Sequence, residues 1–282
     1  YSKLFQILQI ASEDESNFKQ LLQNMIANLV IDDVKLKRRC GKFIQSMINS
    51  ENMSQMYIFI QHLCVRVSSE KADVRVTTLL HVSEIYFRLT TDLQTKFLHF
   101  LTTLSKNKLT NQRIVAVELV AILFEEHVKQ INFEDEENDG FEPVQTLFFV
   151  IIARSIDKIA SIRHKSLSSF ASIIANCLKD RKLTDTLKQL LTPEDATEIQ
   201  DEEEQQTANR SSTSASPSAS NKSTSKASEE SCGFIGARTT DVSAIVRKSA
   251  IQVIENLIML NPRHYLKPAF VDVIKRHSID ST

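Results

Sequence analysis

Basic side chains gather near the start of the sequence, where they could bind phosphate groups. Spacings of three and seven put Lys35, Arg38 and Lys42 on one face of a predicted helix, and Arg39 lies beside them. A basic helix face can follow the phosphates of a DNA duplex, with an affinity that falls steeply as salt rises. The two aspartates at 32–33 support the other interpretation, a solvated face with local ion pairs. The four basic residues are candidate DNA ligands.

No arrangement of residues predicts catalysis or metal binding. The G-x-G-x-x-G, P-loop and H-E-x-x-H motifs are absent from the sequence. The acidic loop at 135–140 begins like a calcium-binding loop, but its twelfth position is Thr146 where a bidentate glutamate is needed. The seven histidines are scattered, and the four cysteines have no metal-ligand spacing. We therefore expect no enzyme activity, no cofactor and no metal.

The composition favours a helical protein that does not enter a membrane. Glycine and proline number only 4 and 5 in 282 residues, which favours long helices joined by short loops. The most apolar stretch, 144–153, is too short to span a bilayer. A net charge of −1 argues against a uniformly basic surface. The sequence begins in helical rhythm without an initiator methionine, and we interpret it as a segment of a longer protein.

One eleven-residue phrase is written twice, as DKIASIRHKSL and DVSAIVRKSAI. The two copies align without a gap, so that Asp157 lies over Asp241 and Arg163 over Arg247. Three weaker copies precede them and are centred on Lys37, Arg75 and Arg113, 38 residues apart each time. The spacings that lead to Arg163 and Arg247 are longer, because the acidic loop and a polar tract are inserted before them. A period near 40 residues is the signature of HEAT or armadillo-type repeats of two helices.

The positions shared by the copies predict how the repeats are held together. A small residue three positions after the arginine, Ser166 in one copy and Ala250 in the other, lets paired helices approach closely. An arginine six residues after an aspartate suits a ladder of hydrogen bonds between repeats. The predicted structural anchors are Arg75, Arg113, Asp157, Arg163, Asp241 and Arg247. Their basic neighbours His164, Lys165 and Lys248 have no such role, so they form a second set of candidate DNA ligands.

The predicted fold is all-α, a HEAT-repeat superhelical solenoid of paired antiparallel helices that is interrupted by a disordered Ser-rich loop. The expected pairs are 17–30 with 34–49, 51–67 with 71–90, 92–106 with 110–128, 143–157 with 160–179, and 234–240 with 242–260. A further helix is expected over 262–277, with Pro262 at its first position, where a missing N–H has no cost. In domain terms, solenoid segments cover 1–197 and 233–282.

The tract at 198–232 is the predicted disordered insertion. It is acidic, rich in Ser and Thr and almost devoid of large apolar residues, so it cannot bury enough surface to offset the entropy of ordering. Ser216 precedes a proline within the tract, and Thr192 precedes one at its edge. Both are candidate phosphorylation sites for proline-directed kinases, and an inert linker is the alternative interpretation.

The two strong copies resemble consecutive HEAT units of the D-type HEAT subunit of condensin II. The resembling stretches read DKIASIRHKSLSSFA and TTDVSAIVRKSAIQVIENLI, and VQTLFFVIIARSIDK precedes the first. That family likewise places a Ser-rich insertion between these units. The resemblance is specific over 144–180 and 236–260 and weaker over 50–128. The first unit departs from the pattern, since Lys37 replaces the arginine and Gly41 occupies an apolar position.

This resemblance implies a non-catalytic, regulatory subunit of the nucleus and chromosomes. Subunits of this kind bind the kleisin that bridges a pair of SMC ATPases, work beside a second HEAT subunit, and help grip double-stranded DNA during mitotic chromosome condensation. Mitotic kinases are the expected regulators. ATP would be hydrolysed by the partners, which fits the missing phosphate-binding motif.

Two other helical-repeat functions remain as alternatives. A nuclear transport receptor would use a similar solenoid to hold cargo and a small GTPase, but such receptors usually carry tryptophans on the concave face and this sequence has none. A phosphatase-type scaffold predicts very regular repeats without a long insertion. The Ser-rich tract counts against that alternative.

Overall fold

The computed structural model of the protein describes residues 53–131, 141–191 and 234–266, together with positions 268, 271, 272 and 275. Within those ranges the secondary structure consists of α-helices and two short 3-10 helices, without a strand. The prediction of an all-α, helical-repeat fold is therefore confirmed. The chain divides into two compact units, Tyr1–Leu123 and Phe124–Thr282.

Two helix pairs of unit 1 lie within the described residues. The helices are α1 (Met53–Arg66), α2 (Ala72–Tyr86), α3 (Thr91–Ser105) and most of α4 (Thr110–Gln130), whose last turns belong to unit 2. A 3-10 turn, Val67–Ser69, joins α1 to α2. The short connections force successive helices to run antiparallel.

Aromatic side chains fill the core of unit 1. Phe59 of α1, Tyr86 of α2 and Phe97 of α3 are fully buried, and the rings of Tyr86 and Phe97 lie 5.6 Å apart. The turn between α2 and α3 is fixed by Gln94, whose side-chain amide donates to the carbonyls of Tyr86 and Leu89. Burial of these faces against one another is what holds the short helices together.

Unit 2 is arranged around a central helix, α6. Its elements are α5 (Phe141–Ser155), α6 (Ala160–Cys177), α7 (Arg181–Leu191), a helical stretch at 234–237, a 3-10 turn (Arg238–Thr240), α8 (Ala244–Leu260) and α9 (Pro262–Tyr265). Helices α5, α7 and α8 all pack against α6, and α8 forms the most extensive of these contacts.

Close contacts join α6 to its neighbours. The hydroxyl of Ser166, which is fully buried, donates to the carbonyl of Ile151 in α5 at 2.6 Å. Asn256 of α8 donates its side-chain amide to the carbonyl of Ala171 in α6 at 2.8 Å. Ala250, at the position equivalent to Ser166, is also fully buried. Small residues at this position therefore do lie where helices approach closely.

The observed helices follow the predicted pairs with one addition. The second helices of the repeats begin and end within a few residues of the predicted bounds, and Pro262 occupies the first turn of α9, capped by the side chain of Asn261. Helix α7 was not predicted. The pair 17–30 with 34–49 and the tract at 198–232 lie outside the described residues, as do seven of the 16 positions of the helix expected over 262–277.

Candidate partner and DNA interface

The aspartate and the arginine of the repeated phrase form hydrogen bonds within their own repeat, and these bonds define a turn. At the start of α6, Asp157 accepts a hydrogen bond from the backbone N–H of Ile159 at 2.9 Å. Arg163 folds back and donates from Nη1 to the carbonyls of Asp157 and Lys158, at 2.8 and 3.1 Å. The carboxylate thus fixes the entry to the helix, and the guanidinium satisfies carbonyls outside it. We call this arrangement, an Asp or Asn followed six residues later by an Arg, the Asx–Arg turn.

Two further Asx–Arg turns have the same hydrogen bonds. At the start of α8, Asp241 accepts from the N–H of Ser243, and Nη1 of Arg247 donates to the carbonyls of Asp241 and Val242. At the start of α4, Asn107 accepts from the N–H of Leu109, and Nη1 of Arg113 donates to the carbonyls of Asn107 and Lys108. The sequence pattern could have identified Asn107 as part of an Asx–Arg turn, because it precedes Arg113 by six residues.

One arginine also joins successive repeats. Nε and Nη2 of Arg163 each donate to an oxygen of Asp241, both at 2.7 Å. The pair is well shielded, with side-chain exposures of 13% for Arg163 and 2% for Asp241. Burial by itself raises the pKa of Asp241, but the hydrogen bonds from Arg163 and from the N–H of Ser243 outweigh it and hold that pKa below its ordinary value. The carboxylate is therefore ionised at neutral pH.

Arg75 makes an equivalent bidentate contact with a different kind of partner. Its Nε and Nη2 donate to the two carboxylate oxygens of Glu118, a buried residue within α4, and its Nη1 donates to the carbonyl of Glu70. Hydrogen bonding to Glu118 raises the pKa of Arg75. Glu118 is a functional part of the ladder that the sequence pattern does not mark, because it has no counterpart in the other copies.

Two arginines that precede the Asx–Arg turns of α6 and α8 are neutralised locally. Arg154 donates to a carboxylate oxygen of Asp157 at 2.8 Å, and Arg238 lies 3.5 Å from Asp241. Each of the two arginines lies three residues before the aspartate of an Asx–Arg turn and pairs with that aspartate. Their positive charge is balanced inside the turn, so neither arginine is a strong candidate for binding a phosphate.

The structure corrects the expectation that His164 has no structural role. Its Nδ1 lies 2.7 Å from the hydroxyl oxygen of Ser249 in α8. The Ser249 hydroxyl also contacts the carbonyl of Ile245, as donor, so it accepts from the imidazole N–H. Burial and the neighbouring charge of Lys165 lower the pKa of His164, although the Ile245 carbonyl opposes them. His164 is thus largely neutral at pH 7 and links α6 to α8.

Lys165 and Lys248 are the two remaining candidates of this set. Lys248 is exposed on α8 and makes no ion pair with any residue in the described ranges, while Lys165 is partly exposed on α6. The other candidate DNA ligands, Lys35, Arg38, Arg39 and Lys42, and the candidate phosphorylation sites Thr192 and Ser216 lie outside the described residues.

The described part of the chain has no cluster of side chains suited to a metal ion. Its two cysteines, Cys64 and Cys177, are buried free thiols, and burial raises the pKa of Cys177 to about 11. Such thiols stay protonated and pack as small apolar groups. Among the described helices, none has the length and apolar character needed to cross a membrane.

Comparison with known proteins gives one distant relationship. No family model matches the chain. The chain is 24% identical over 195 residues to the condensin-2 complex subunit D3-L of Xenopus laevis. The alignment covers 68% of this chain and 13% of that relative, so the chain spans a small part of the relative's length. The protein is thus a distant, partial relative of a condensin-2 D3 subunit, in agreement with the resemblance of its repeated phrases.

Proposed function

We propose that this chain is part of a non-catalytic scaffold subunit of condensin II, which binds the kleisin subunit and DNA during mitotic chromosome condensation. The observation that carries the proposal is the similarity to condensin-2 subunit D3-L over 195 residues. It agrees with a fold whose repeated arginines and aspartates serve structure rather than catalysis. The location that follows is the nucleus, on chromosomes.

The partners that follow are the kleisin, the SMC ATPase pair, the second HEAT subunit and chromatin. A stack of helix pairs presents long, continuous surfaces, which suits a protein that holds several others. In this proposal the SMC partners hydrolyse ATP. This chain contributes the rigid repeats and the cations that meet DNA.

DNA contact in this proposal involves two groups of side chains. The first is Lys35, Arg38, Arg39 and Lys42. The second is His164, Lys165 and Lys248, in which the lysines supply charge and the neutral imidazole of His164 keeps α6 and α8 in register. Lys165 and Lys248 stand on adjacent, packed helices, and in this proposal both contact the phosphate backbone.

We also propose that repeats at 1–197 and 233–282 belong to one solenoid, with the Ser-rich tract at 198–232 as its regulatory insertion. Mitotic kinases would modify Ser216 and Thr192. Each phosphate adds about −1.5 to −2 charges, enough to weaken binding of a nearby surface to DNA.

The test is to tag the full-length protein in dividing cells, purify it at moderate salt and identify the proteins that accompany it. The proposal expects an SMC ATPase pair and a kleisin in near-equal amounts. A small GTPase with cargo would support the transport-receptor alternative, and a phosphatase catalytic subunit would support the phosphatase-scaffold alternative. Either result would end the condensin proposal and leave the fold unchanged.

A further inference from the structure

Ser161 is an exposed serine in the first turn of α6. Its hydroxyl makes no hydrogen bond to any residue in the described ranges. By contrast, Ser155 and Ser166 on either side of it are fully buried, and their hydroxyls donate to the carbonyls of Ile152 and Ile151 in α5. Ser161 is therefore the hydroxyl of this stretch that a modifying enzyme can reach without unpacking the repeat.

Two lysines stand on either side of Ser161 in the sequence. Lys158 precedes it by three residues and is exposed in the Asx–Arg turn. Lys165 follows it by four residues, which places it on the same face of α6, where it is partly exposed. Arg163 also follows closely, but its guanidinium is committed to Asp241 and to the carbonyls of its own turn. A negative group on Ser161 would thus face the two lysines.

Another repeat carries a negative charge at the position that Ser161 occupies. Ser161 lies two residues before the repeated arginine, and the equivalent residue of α2 is Asp73, an acidic side chain in the first turn of that helix. The first turn of α6 has no acidic residue, and Ile159 before it has no side-chain oxygen to accept from the N–H groups of that turn. The first turn of a helix favours negative charge. A phosphate on Ser161 would supply to α6 the charge that Asp73 supplies to α2.

The charges around Ser161 favour a phosphate more than those around comparable hydroxyls. Among the described residues, two other exposed hydroxyls follow a basic residue by three positions, but each is followed directly by an acidic residue; they are Ser69 before Glu70 and Thr91 before Asp92. The acidic residue nearest to Ser161 in the sequence is Asp157, which is buried and paired with Arg154. The repulsion that a second negative group would meet is therefore smallest at Ser161.

We propose that Ser161 is a phosphorylation site for a serine kinase that selects basic flanking residues, and that Lys158 and Lys165 hold the phosphate at the start of α6. In the reaction the Ser161 hydroxyl oxygen bonds to the γ-phosphorus of ATP, the bond to ADP breaks, and the hydroxyl proton passes to the general base of the kinase. The site differs in kinase class from the two proline-directed candidates, and it stands or fails independently of the proposed function. Because Lys165 is also a candidate DNA ligand, the phosphate would compete with DNA for it.

The first test treats the full-length protein with ATP and protein kinase C, which selects serines with basic residues on both sides, and maps the phosphate by mass spectrometry. We expect phosphate on Ser161 and none on buried Ser166. Lys158→Gln should slow the modification of Ser161 at least tenfold, and an unchanged rate would contradict the assigned kinase class. A synthetic peptide of residues 154–167 is the control for recognition. If the kinase modifies Ser161 in the peptide but not in the folded protein, or in neither, the proposal is wrong.

The second test asks whether the two lysines hold the phosphate. An amine-acetylating reagent should label Lys158 and Lys165 at least threefold more slowly after phosphorylation, because an ammonium group paired with a phosphate loses its proton less readily. Lys182, exposed on α7, is the internal control and should be labelled equally in both samples. Ser161→Ala treated with the same kinase should show no slowing. Equal labelling of Lys165 with and without phosphate on Ser161, or slowing that persists in Ser161→Ala, would overturn the assignment of these lysines.

Discussion

Arg163 and Asp241 are 78 positions apart in the sequence, yet two parallel hydrogen bonds of 2.7 Å join them. The same arginine holds the carbonyls at the entry to α6, and the same aspartate holds the entry to α8. The pair therefore locks two helix entries and the contact between them in a single network. A network of this kind fixes the register of one repeat against the next.

Replacing Arg163 by glutamine should destabilise unit 2 by about 3–5 kcal/mol. The substitution leaves the buried carboxylate of Asp241 without its bidentate partner, which costs more than the loss of an exposed ion pair. Thermal unfolding followed by circular dichroism measures the effect. Lys248→Gln, which removes an exposed cation from the adjacent helix, is the control and should change stability little. Equal effects of the two substitutions would contradict a structural role for Arg163.

Asp241→Asn should lower stability at neutral pH and weaken its dependence on pH under acidic conditions. The folded protein holds the pKa of Asp241 below its ordinary value of 3.8, so the unfolded chain takes up this proton first as pH falls. The stabilisation is fully present above about pH 4 and disappears as pH falls through the folded-state pKa. Unfolding free energies measured across this range test the prediction. A profile that Asp241→Asn leaves unchanged would contradict this assignment.

His127 should make the protein sensitive to mild acid. Burial lowers its pKa from 6.5 to about 4, so the folded state keeps the imidazole neutral over a range in which the unfolded chain protonates it. Stability then falls as pH drops from about 6.5 toward 4, by up to about 3 kcal/mol. His127→Gln should flatten this part of the pH profile. A slope that survives His127→Gln would assign the acid sensitivity to other groups.

Reversing two lysine charges should weaken DNA binding without unfolding the protein. Lys165→Glu combined with Lys248→Glu is expected to lower affinity for duplex DNA. It should also reduce the slope of log K against log salt, by roughly 0.9 for each phosphate that the protein no longer neutralises. Fluorescence anisotropy at several salt concentrations measures both quantities. The matched control reverses Lys71 and Lys106, two exposed lysines of unit 1. If both double variants weaken binding equally, affinity follows net charge and the two lysines form no specific site.

The second helix of each repeat could be located from sequence because it carries the repeated phrase. The prediction of 160–179 corresponds to Ala160–Cys177, and that of 242–260 to Ala244–Leu260. The later start of α8 has a physical cause. Asp241 accepts from the N–H of Ser243, which keeps residues 241–243 in the turn.

Helix α7 escaped prediction because it carries no member of the phrase. It begins just after Asp180, whose carboxylate accepts from the N–H of Leu183, and it packs on α6 through buried Leu187 and Leu191. Its amphipathic pattern was present in the sequence. A sequence pattern based on the repeated arginines finds only the helices that carry such an arginine near their start.

The sequence predicted that arginines would hydrogen-bond from one repeat to the next, but it did not identify the acceptor of each arginine. The expected partner type was an aspartate at the turn, and Arg163 meets one in Asp241. Arg75 instead meets Glu118 within α4. The turn of that repeat carries Asn107, whose neutral amide accepts from the N–H of Leu109 and has no charge to offer a guanidinium. The carboxylate of Glu118 takes this role because folding brings it near Arg75.

The bond between Arg163 and Asp241 also bears on evolution. The chain between the two residues contains the whole Ser-rich tract, which we predict to be disordered. The length of a disordered tract would affect folding only through the entropy of closing a loop, which grows logarithmically, so that doubling the enclosed length costs about 0.6 kcal/mol. On that prediction, insertions and deletions within the tract would be nearly neutral to natural selection for stability. Descendant sequences would then be free to diverge there in length and composition while the two residues that bracket the tract stay fixed.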